Sequence, residues 1–410
     1  MRTIAFASPH CVIDFTSGAA IATLQALRFL RGWGFACRAF CACELDAPEE
    51  TLFEELLANQ KSPYETRNVR IGGYRARMTF TLQGDVPATI FQNASTRGWW
   101  SSEAEAEAFL AAFGMFLDKN RPETIITYGG SPIAKGMVKL AKTRDIPIVF
   151  WLHNFSYQDP APFMAVDYVV VPSEFSRQYH WDKFGLACNT LPNLIDPQRV
   201  KVAGAKPSYV TFVNPDRNKG VYVFVRIAEQ LARRRPDIPI LVVEGRSHSR
   251  SIQQAGLDLS WARNLNKMPN TPDPRKFYAV SKLVLMPSLW NESFGLVAAE
   301  AMLNGIPVLA SNRGALPETV GEGGFLLDIP ARYTPATKDV PTAEEVEPWV
   351  ETIIRLWDDE GFYRQTSERA LQWAQRWHPD RLRPLYTEFF GNARPQPGAP
   401  IVRGMPAQTG

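Results

Sequence analysis

Short apolar runs without polar alternation recur along the chain, at Ile4 to Ala7, Thr124 to Tyr128, Ile146 to Leu152, Val166 to Val171, Val210 to Val213, Ile240 to Val243, Leu283 to Met286 and Ile306 to Ala310. Runs of this kind suit strands buried on both faces, as in a parallel sheet. Between them, apolar positions recur at helical spacing. Residues 219–234 place Val221, Phe224, Val225, Ala228 and Leu231 on one stripe. Arg233, Arg234 and Arg235 gather at the end where the helix dipole favours cations. Strand alternating with helix predicts an α/β chain with right-handed crossovers, with roughly seven strands in the first half and about six in the second.

The alternation breaks across Pro192, Pro197 and Pro207 and restarts at Tyr209. Two domains are therefore expected, 1–195 and 196–378, each a Rossmann-like doubly wound sheet, the two facing a central cleft. Ligands of such sheets bind outside the carboxyl ends of the strands. Residues 344–358 and 360–376 read as helices, and 379–390 as one more that returns to the N-terminal domain. The stretch 391–410 is rich in proline and glycine and lacks periodicity, so it is expected to be disordered.

Composition narrows the class. At 410 residues the chain exceeds one ordinary core, and 45% hydrophobic with 21% charged residues is a soluble globular balance. No run approaches the ~18 apolar residues of a membrane-spanning helix. Residues 1–8 read as a first strand rather than a leader, so a cytoplasmic protein is expected. A net charge of +3 gives no whole-molecule field to attract nucleic acid. Cys11, Cys37, Cys41, Cys43 and Cys188 lack zinc-type spacing and read as buried reduced thiols. Glu103, Glu105 and Glu107 read as a solvated helix start rather than a metal site. Lys61, Arg67, Arg70, Arg75 and Arg77, with Arg97 ahead of Trp99 and Trp100, read as a solvated hairpin plus core tryptophans. The same residues leave open a peripheral contact with an anionic lipid surface or a polymer acceptor.

The chemistry concentrates in PSLWNESFGLVAAEAMLNGIPVLASNRGALPE, residues 287–318. A loop with Asn291, Glu292, Ser293, Phe294 and Gly295 follows a strand and leads into a helix, with Ser293 as the expected N-cap. The N–H groups and positive dipole end of that helix suit a pyrophosphate, and Gly295 allows close backbone approach. Glu292 and Glu300, about 12 Å apart on a helical rise, match the two ends of a sugar-diphosphate-ribose unit. Each carboxylate can accept two bonds from a vicinal diol.

The order strand, Pro-Ser, Glu, Phe-Gly, Glu-Ala-Met, Gly-Ile-Pro-Val, Gly-Ala-Leu-Pro-Glu closely resembles the retaining GT-B glycosyltransferases of family four, also called glycosyl transferases group 1. Their hallmark is two glutamates separated by seven residues in this frame. The resemblance implies that Glu292 contacts the donor sugar, that Ser293, Phe294 and Gly295 face sugar and phosphate, and that Glu300 holds the ribose. Lys219 matches the lysine of a basic pair that neutralises the diphosphate. Asn214 stands where the family carries the arginine, with Arg217 near enough to compensate. Gly18, after Thr16 and Ser17, resembles the glycine loop beside the donor phosphates. His153, after Ile146 to Leu152, matches a histidine near the reacting carbon. The base is expected to be read by backbone near Met268. No two aspartates are separated by one residue, so metal-independent transfer with retention, needing no cofactor, is the expectation. Glu292, Lys219 and His153 form the expected catalytic set. The donor is a nucleotide sugar; the acceptor, whether small molecule, glycan or lipid, stays open. A catalytically silent nucleotide-sugar binder and a GT-B nucleotide-sugar epimerase are the competing readings.

Overall fold

The computed structural model describes residues 2–47, 49–59, 62–248, 250–253 and 262–401. The chain divides into two compact units, Met1–Leu194 with Leu382–Gly410, and Ile195–Arg381. None of the described helices is long and apolar enough to cross a membrane.

Unit 1 is built on nine strands: β1 (Thr3–His10), β2 (Ala36–Glu44), β3 (Tyr64–Ile71), β4 (Tyr74–Gln83), β5 (Val86–Gln92), β6 (Thr124–Thr127), β7 (Ile148–Trp151), β8 (Tyr168–Val171) and β9 (Cys188–Thr190). Their order in the sheet is β3-β4-β5-β2-β1-β6-β7-β8-β9. From β5 to β9 every neighbour is parallel, and Phe6, Phe40, Ile126 and Phe150 are buried as doubly covered strands require. The stretch β3-β4-β5 is instead an antiparallel extension. Arg75, Arg77, Phe80 and Leu82 lie on its exposed positions, while Ala76, Met78 and Thr81 are buried. Charged Arg67 and Arg70 on the edge strand β3 discourage pairing with another chain. Trp100 packs on Phe91 and Phe109, with ring centroids at 6.2 and 5.0 Å. Trp99, expected in the core beside it, is 66% exposed. Lys61 lies outside the described residues.

Two further expectations are corrected. Glu105 is not solvated: it is 1% exposed, and its carboxylate accepts from the Ser101 N–H at 2.6 Å, the Ser101 hydroxyl at 2.9 Å and the Tyr74 hydroxyl at 3.1 Å. Residues 391–401 are not free chain. Gln396 N–H donates to the Asp167 carboxylate at 2.7 Å, and Ala187 N–H to the Pro400 carbonyl at 2.8 Å. Asp167 is a buried acceptor that must be paired, and Gln396 shares it with Lys142. Residues 402–410 lie outside the described residues. Ahead of this stretch, the helix Pro379–Asn392 contributes Leu382, Tyr386 and Phe390 to the core of unit 1.

Unit 2 carries β10 (Tyr209–Val213), β11 (Ile240–Val243), β12 (Leu265–Met268), β13 (Ser281–Met286), β14 (Val308–Ser311) and β15 (Phe325–Leu327). All are parallel, in the order β12-β11-β10-β13-β14-β15. Alternate strand residues serve two cores. Phe212, Val242, Leu285 and Leu309 join the helices Val221–Arg234 and Ala343–Asp358. Val243, Val284, Met286 and Ala310 join Leu296–Leu303 and Glu360–Ala374. This is why the strands read as continuous apolar runs. The strand order reverses between β10 and β13, so the loops leaving their carboxyl ends turn to opposite faces and open a crevice there.

Gly220 fixes that crevice. Its φ is +79°, and a Cβ would lie 1.8 Å from the Pro287 carbonyl oxygen, so the loop after β10 packs directly on the loop after β13. Gly220→Ala is expected to destabilise unit 2 by about 2–4 kcal/mol, from backbone strain plus overlap. Gly204→Ala, at φ +68° with open space around it, should cost only about 1–2 kcal/mol. Urea unfolding of the two variants checks the difference.

Candidate functional site

The loops after β10 and β13 meet at the reversal point, and two side chains 73 residues apart in sequence join there. Lys219 Nζ donates to Glu292 Oε1 at 2.7 Å. The Ser288 hydroxyl donates to the same oxygen at 2.8 Å, and the Trp290 ring centroid lies 4.9 Å from the ammonium. Glu292 is 6% exposed. Burial works to raise its carboxyl, but the charge and hydrogen bond of Lys219, with the Ser288 hydroxyl, outweigh that and hold it below the usual carboxylate range. Glu292 is thus an anion, suited to accept hydrogen bonds and unsuited to give a proton. Its backbone is braced as well. Ala315 N–H donates to the Glu292 carbonyl at 2.8 Å, and a Cβ on Gly314 would lie 2.4 Å from the Glu292 nitrogen.

The helix Leu296–Leu303 is capped by Gly295, not by Ser293 as expected. The cap position has φ +93°, and a Cβ there would meet Leu316 at 2.8 Å. That backbone favours glycine over a hydroxyl-bearing residue. Phe294 turns its ring into the core against Trp377, at 5.0 Å, and is 2% exposed. Only its backbone is available to a ligand. Ser293, half-buried, lies between Glu292 and Phe294 at the same loop.

Glu300, one helix length on, is 5% exposed. Arg199 Nη1 donates to its Oε1 at 2.8 Å, and the Tyr278 hydroxyl to its Oε2 at 2.9 Å. Burial, and then the Glu300 charge, push the Tyr278 phenol well above its ordinary range, so it stays a donor. Arg199 and Tyr278 escape sequence reading because each reaches Glu300 from an unrelated element; only the Asp196-Pro197 start of the short helix Pro197–Val200 marks where Arg199 sits.

Asn214, expected among the donor-binding residues, is engaged within unit 2 through its backbone conformation and its side-chain oxygen. It sits at φ +58°, a left-handed conformation asparagine tolerates better than longer side chains. Its Oδ1 accepts from Ser247 N–H at 2.9 Å, tying the end of β10 to the loop after β11. Arg217 is exposed, with its guanidinium 5.8 Å from the Tyr222 ring centroid. Met268 ends β12, and its carbonyl is taken by Glu244 N–H at 2.9 Å.

Gly18 and His153 belong to unit 1. Gly18 is exposed and opens the helix Gly18–Gly32, after Ser17, whose side chain makes no capping bond. His153 follows β7, stacked on Trp151 with centroids at 5.6 Å and edge-on to Tyr128 at 5.6 Å. Desolvation pushes its imidazole down to about 3. The unfolded imidazole takes a proton near 6.5 and the folded one only near 3. The stability this neutral group contributes is therefore complete above about 6.5 and is lost as pH falls toward 3. An NMR titration between roughly pH 5 and 8 is expected to show no protonation of His153; a midpoint near 6.5 would show that the ring is solvated.

Among the described residues no group of three or more His, Cys, Asp or Glu is arranged to hold a metal ion. Comparison with known sequences and structures adds context. Residues 196–373 match the family described as glycosyl transferases group 1. The chain is 29% identical over 185 residues to the D-inositol 3-phosphate glycosyltransferase of Corynebacterium urealyticum, covering 42% of this chain and 40% of that one. It is 51% identical over 55 residues to an uncharacterized 41.2 kDa protein in the cps region of Klebsiella pneumoniae, covering 13% and 15%. The chain thus spans about two-fifths of the length of the first of these curated relatives. Among solved structures it resembles the Anabaena HepE protein in complex with UDP and glucose, with a TM-score of 0.66 and 16% identity over 95% of this chain and 100% of that one. The sucrose-phosphate synthase of Thermosynechococcus elongatus superposes with a TM-score of 0.64 at 16% identity, over 95% and 100%. At such identities the likeness concerns the fold.

Proposed function

We propose that this chain, a GT-B protein whose residues 196–373 match the glycosyl transferases group 1 family, transfers a sugar from a nucleotide-diphosphate sugar to an acceptor hydroxyl, with retention and without a metal. The observation that carries the proposal is the Lys219–Glu292 contact at the reversal point of the unit 2 sheet, beside the start of the helix Leu296–Leu303. An ammonium has three donors. One is used on Glu292, which leaves capacity for the departing diphosphate. Together with the positive end of the helix it supplies the charge that a divalent cation supplies elsewhere. Glu292, held as an anion, accepts from donor-sugar hydroxyls and orients the ring. Glu300, oriented by Arg199 and Tyr278, accepts from the ribose diol. His153, neutral, takes or gives a hydrogen bond near the reacting carbon. The transition state is oxocarbenium-like, and the leaving phosphate oxygen receives the acceptor's proton on the same face.

A silent nucleotide-sugar binder is the second reading, favoured by Asn214, whose side chain is committed to the β11 loop. Incubating the chain with UDP-, GDP-, ADP- and TDP-sugars, with and without a cell extract as acceptor source, distinguishes the two. A transferase releases nucleoside diphosphate with at least one donor and does so in EDTA; a binder releases none under any condition. The anomeric coupling in the product reports retention.

A further inference from the structure

Arg313, half-buried in the turn after β14, is a cation without an anion. Its Nη1 donates to the Leu289 carbonyl at 2.7 Å, and its Nη2 to the Pro330 and Ile329 carbonyls at 3.2 and 3.4 Å. Among the described residues no carboxylate offsets its charge, and burial pushes its guanidinium below the ordinary range. Elsewhere in the unit, Arg199 and Arg226 each donate to a glutamate. Desolvating a charge is costly unless it is paired, and single carbonyls can be met by neutral donors. Arginine's rigid five-donor fork, however, spans several carbonyls at once as no other side chain does. Arg313 is therefore suited to holding loops in place, at a cost in stability.

The carbonyls it holds belong to two other loops. Leu289 follows β13, Ile329 and Pro330 follow β15, and Arg313 itself follows β14, so one side chain ties the carboxyl ends of three neighbouring strands. The Leu289–Trp290 peptide is gripped on both sides. Its carbonyl accepts from Arg313, and its N–H donates to the Asn218 carbonyl at 3.3 Å, where the Leu289 N–H also donates at 2.8 Å. Asn218 adjoins Lys219, and the Trp290 ring centroid lies 4.9 Å from the Lys219 ammonium. This peptide therefore sets the spacing between the loop carrying Lys219 and the loop carrying Glu292. The other contacts of the β14 turn fall elsewhere: the Ser311 hydroxyl donates to the Ser288 carbonyl at 2.7 Å, and Gly314 and Ala315 brace the Glu292 backbone. Among these contacts, only Arg313 acts on the peptide that backs Lys219.

We propose that Arg313 is a positioning residue for sugar transfer: without touching the donor, it fixes the Leu289–Trp290 peptide and thereby the placement of Lys219 against Glu292 that meets the leaving diphosphate. The inference rests on the reading above in which that pair serves the diphosphate. Lys219 acts on charge that develops in the transition state, so loosening its placement lowers kcat more than it raises the donor KM. A misplacement of about 1 Å is enough for a loss of about a hundredfold. It also loosens the ion pair, so the Glu292 carboxyl rises from the low range in which Lys219 holds it.

A double-mutant cycle on the full chain tests this, with kcat measured on whichever of the UDP-, GDP-, ADP- and TDP-sugars is turned over. Arg313→Met is expected to lower kcat by about ten- to a hundredfold in the wild-type background. In the Lys219→Met background the same change should cost no more than about twofold, because the ammonium that Arg313 positions is gone. Arg313→Lys keeps the charge but not the fork; its loss should be intermediate, and it carries the cycle if Arg313→Met does not fold. Equal losses in both backgrounds, as from a defect in folding alone, overturn the inference. So does a rise in donor KM without a fall in kcat, which would place Arg313 on the donor itself. Carboxyl-carbon NMR of Glu292, its signal identified by loss in Glu292→Gln, needs no ligand. The Glu292 midpoint is expected to be higher in Arg313→Met than in the wild-type chain, and an unmoved midpoint overturns the inference. Absence of turnover with every donor defeats the transferase reading, and the Glu292 midpoint then decides the role of Arg313 by itself.

Discussion

Lys219→Met is expected to lower kcat by about a hundred- to thousandfold, the scale seen when one preorganised donor to developing transition-state charge is removed. The methionine keeps the length of the side chain and deletes the ammonium. Glu292 then loses its ion pair while remaining buried, so its carboxyl should rise out of the low range in which Lys219 holds it. Breaking a buried pair from one side also costs about 3–5 kcal/mol of stability, which could by itself lower activity. The double variant Lys219→Met with Glu292→Gln separates the effects. It removes both charges, so stability should largely return while kcat stays low. Recovery of activity along with stability would show that Lys219 acts through folding and not on the leaving group.

Glu300→Ala is expected to raise the donor KM by about ten- to a hundredfold with a smaller change in kcat. A hydrogen bond to a charged group contributes roughly 1.5–3 kcal/mol, and the bonds to the ribose are made equally in ground and transition states, which moves KM rather than kcat. Arg199 and Tyr278 lose their common acceptor in this variant. Arg199→Ala removes only the orienting cation and should raise KM less, with Tyr278 still holding Oε2. Steady-state kinetics on both variants, donor varied at fixed acceptor, checks the ordering. A dominant fall in kcat for Glu300→Ala would place Glu300 at the reacting centre instead.

The parallel strands were legible because burial on both faces leaves a chain with no polar alternation. Each of the apolar runs starting at Ile4, Thr124, Ile146, Val166, Val210, Ile240, Leu283 and Ile306 coincides with a strand. The antiparallel extension was harder to read. In β4 exposed Arg75 and Arg77 alternate with buried Ala76 and Met78, and β3 is exposed along most of its length, so neither shows an apolar run. At the site, the glutamates and Lys219 were legible as residue types in a frame. Their mutual contact was not, because it depends on which strands become neighbours. The partners of Glu300 were hidden for the same reason. The cap at Gly295 was misread because sequence shows a capping hydroxyl at Ser293 but not the left-handed backbone two residues later. Asn214 stands where the family carries arginine, yet its φ of +58° and its bond to Ser247 make it a brace for the loop.

The central claim is that Lys219, Glu292, the glycine-capped helix start and Glu300 together grip a nucleotide sugar. Thermal unfolding in the presence of UDP-, GDP-, ADP- and TDP-sugars tests it directly, since ligand at a hundred times its Kd adds about 2.7 kcal/mol to stability. At least one of these donors is expected to raise the unfolding temperature of the wild-type chain, and at the same donor concentration the rise should fall to about half or less in Glu300→Ala and persist in full in Glu103→Ala, whose carboxylate lies on an exposed helix start in unit 1. No stabilisation by any nucleotide sugar, or an undiminished shift in Glu300→Ala, would contradict it.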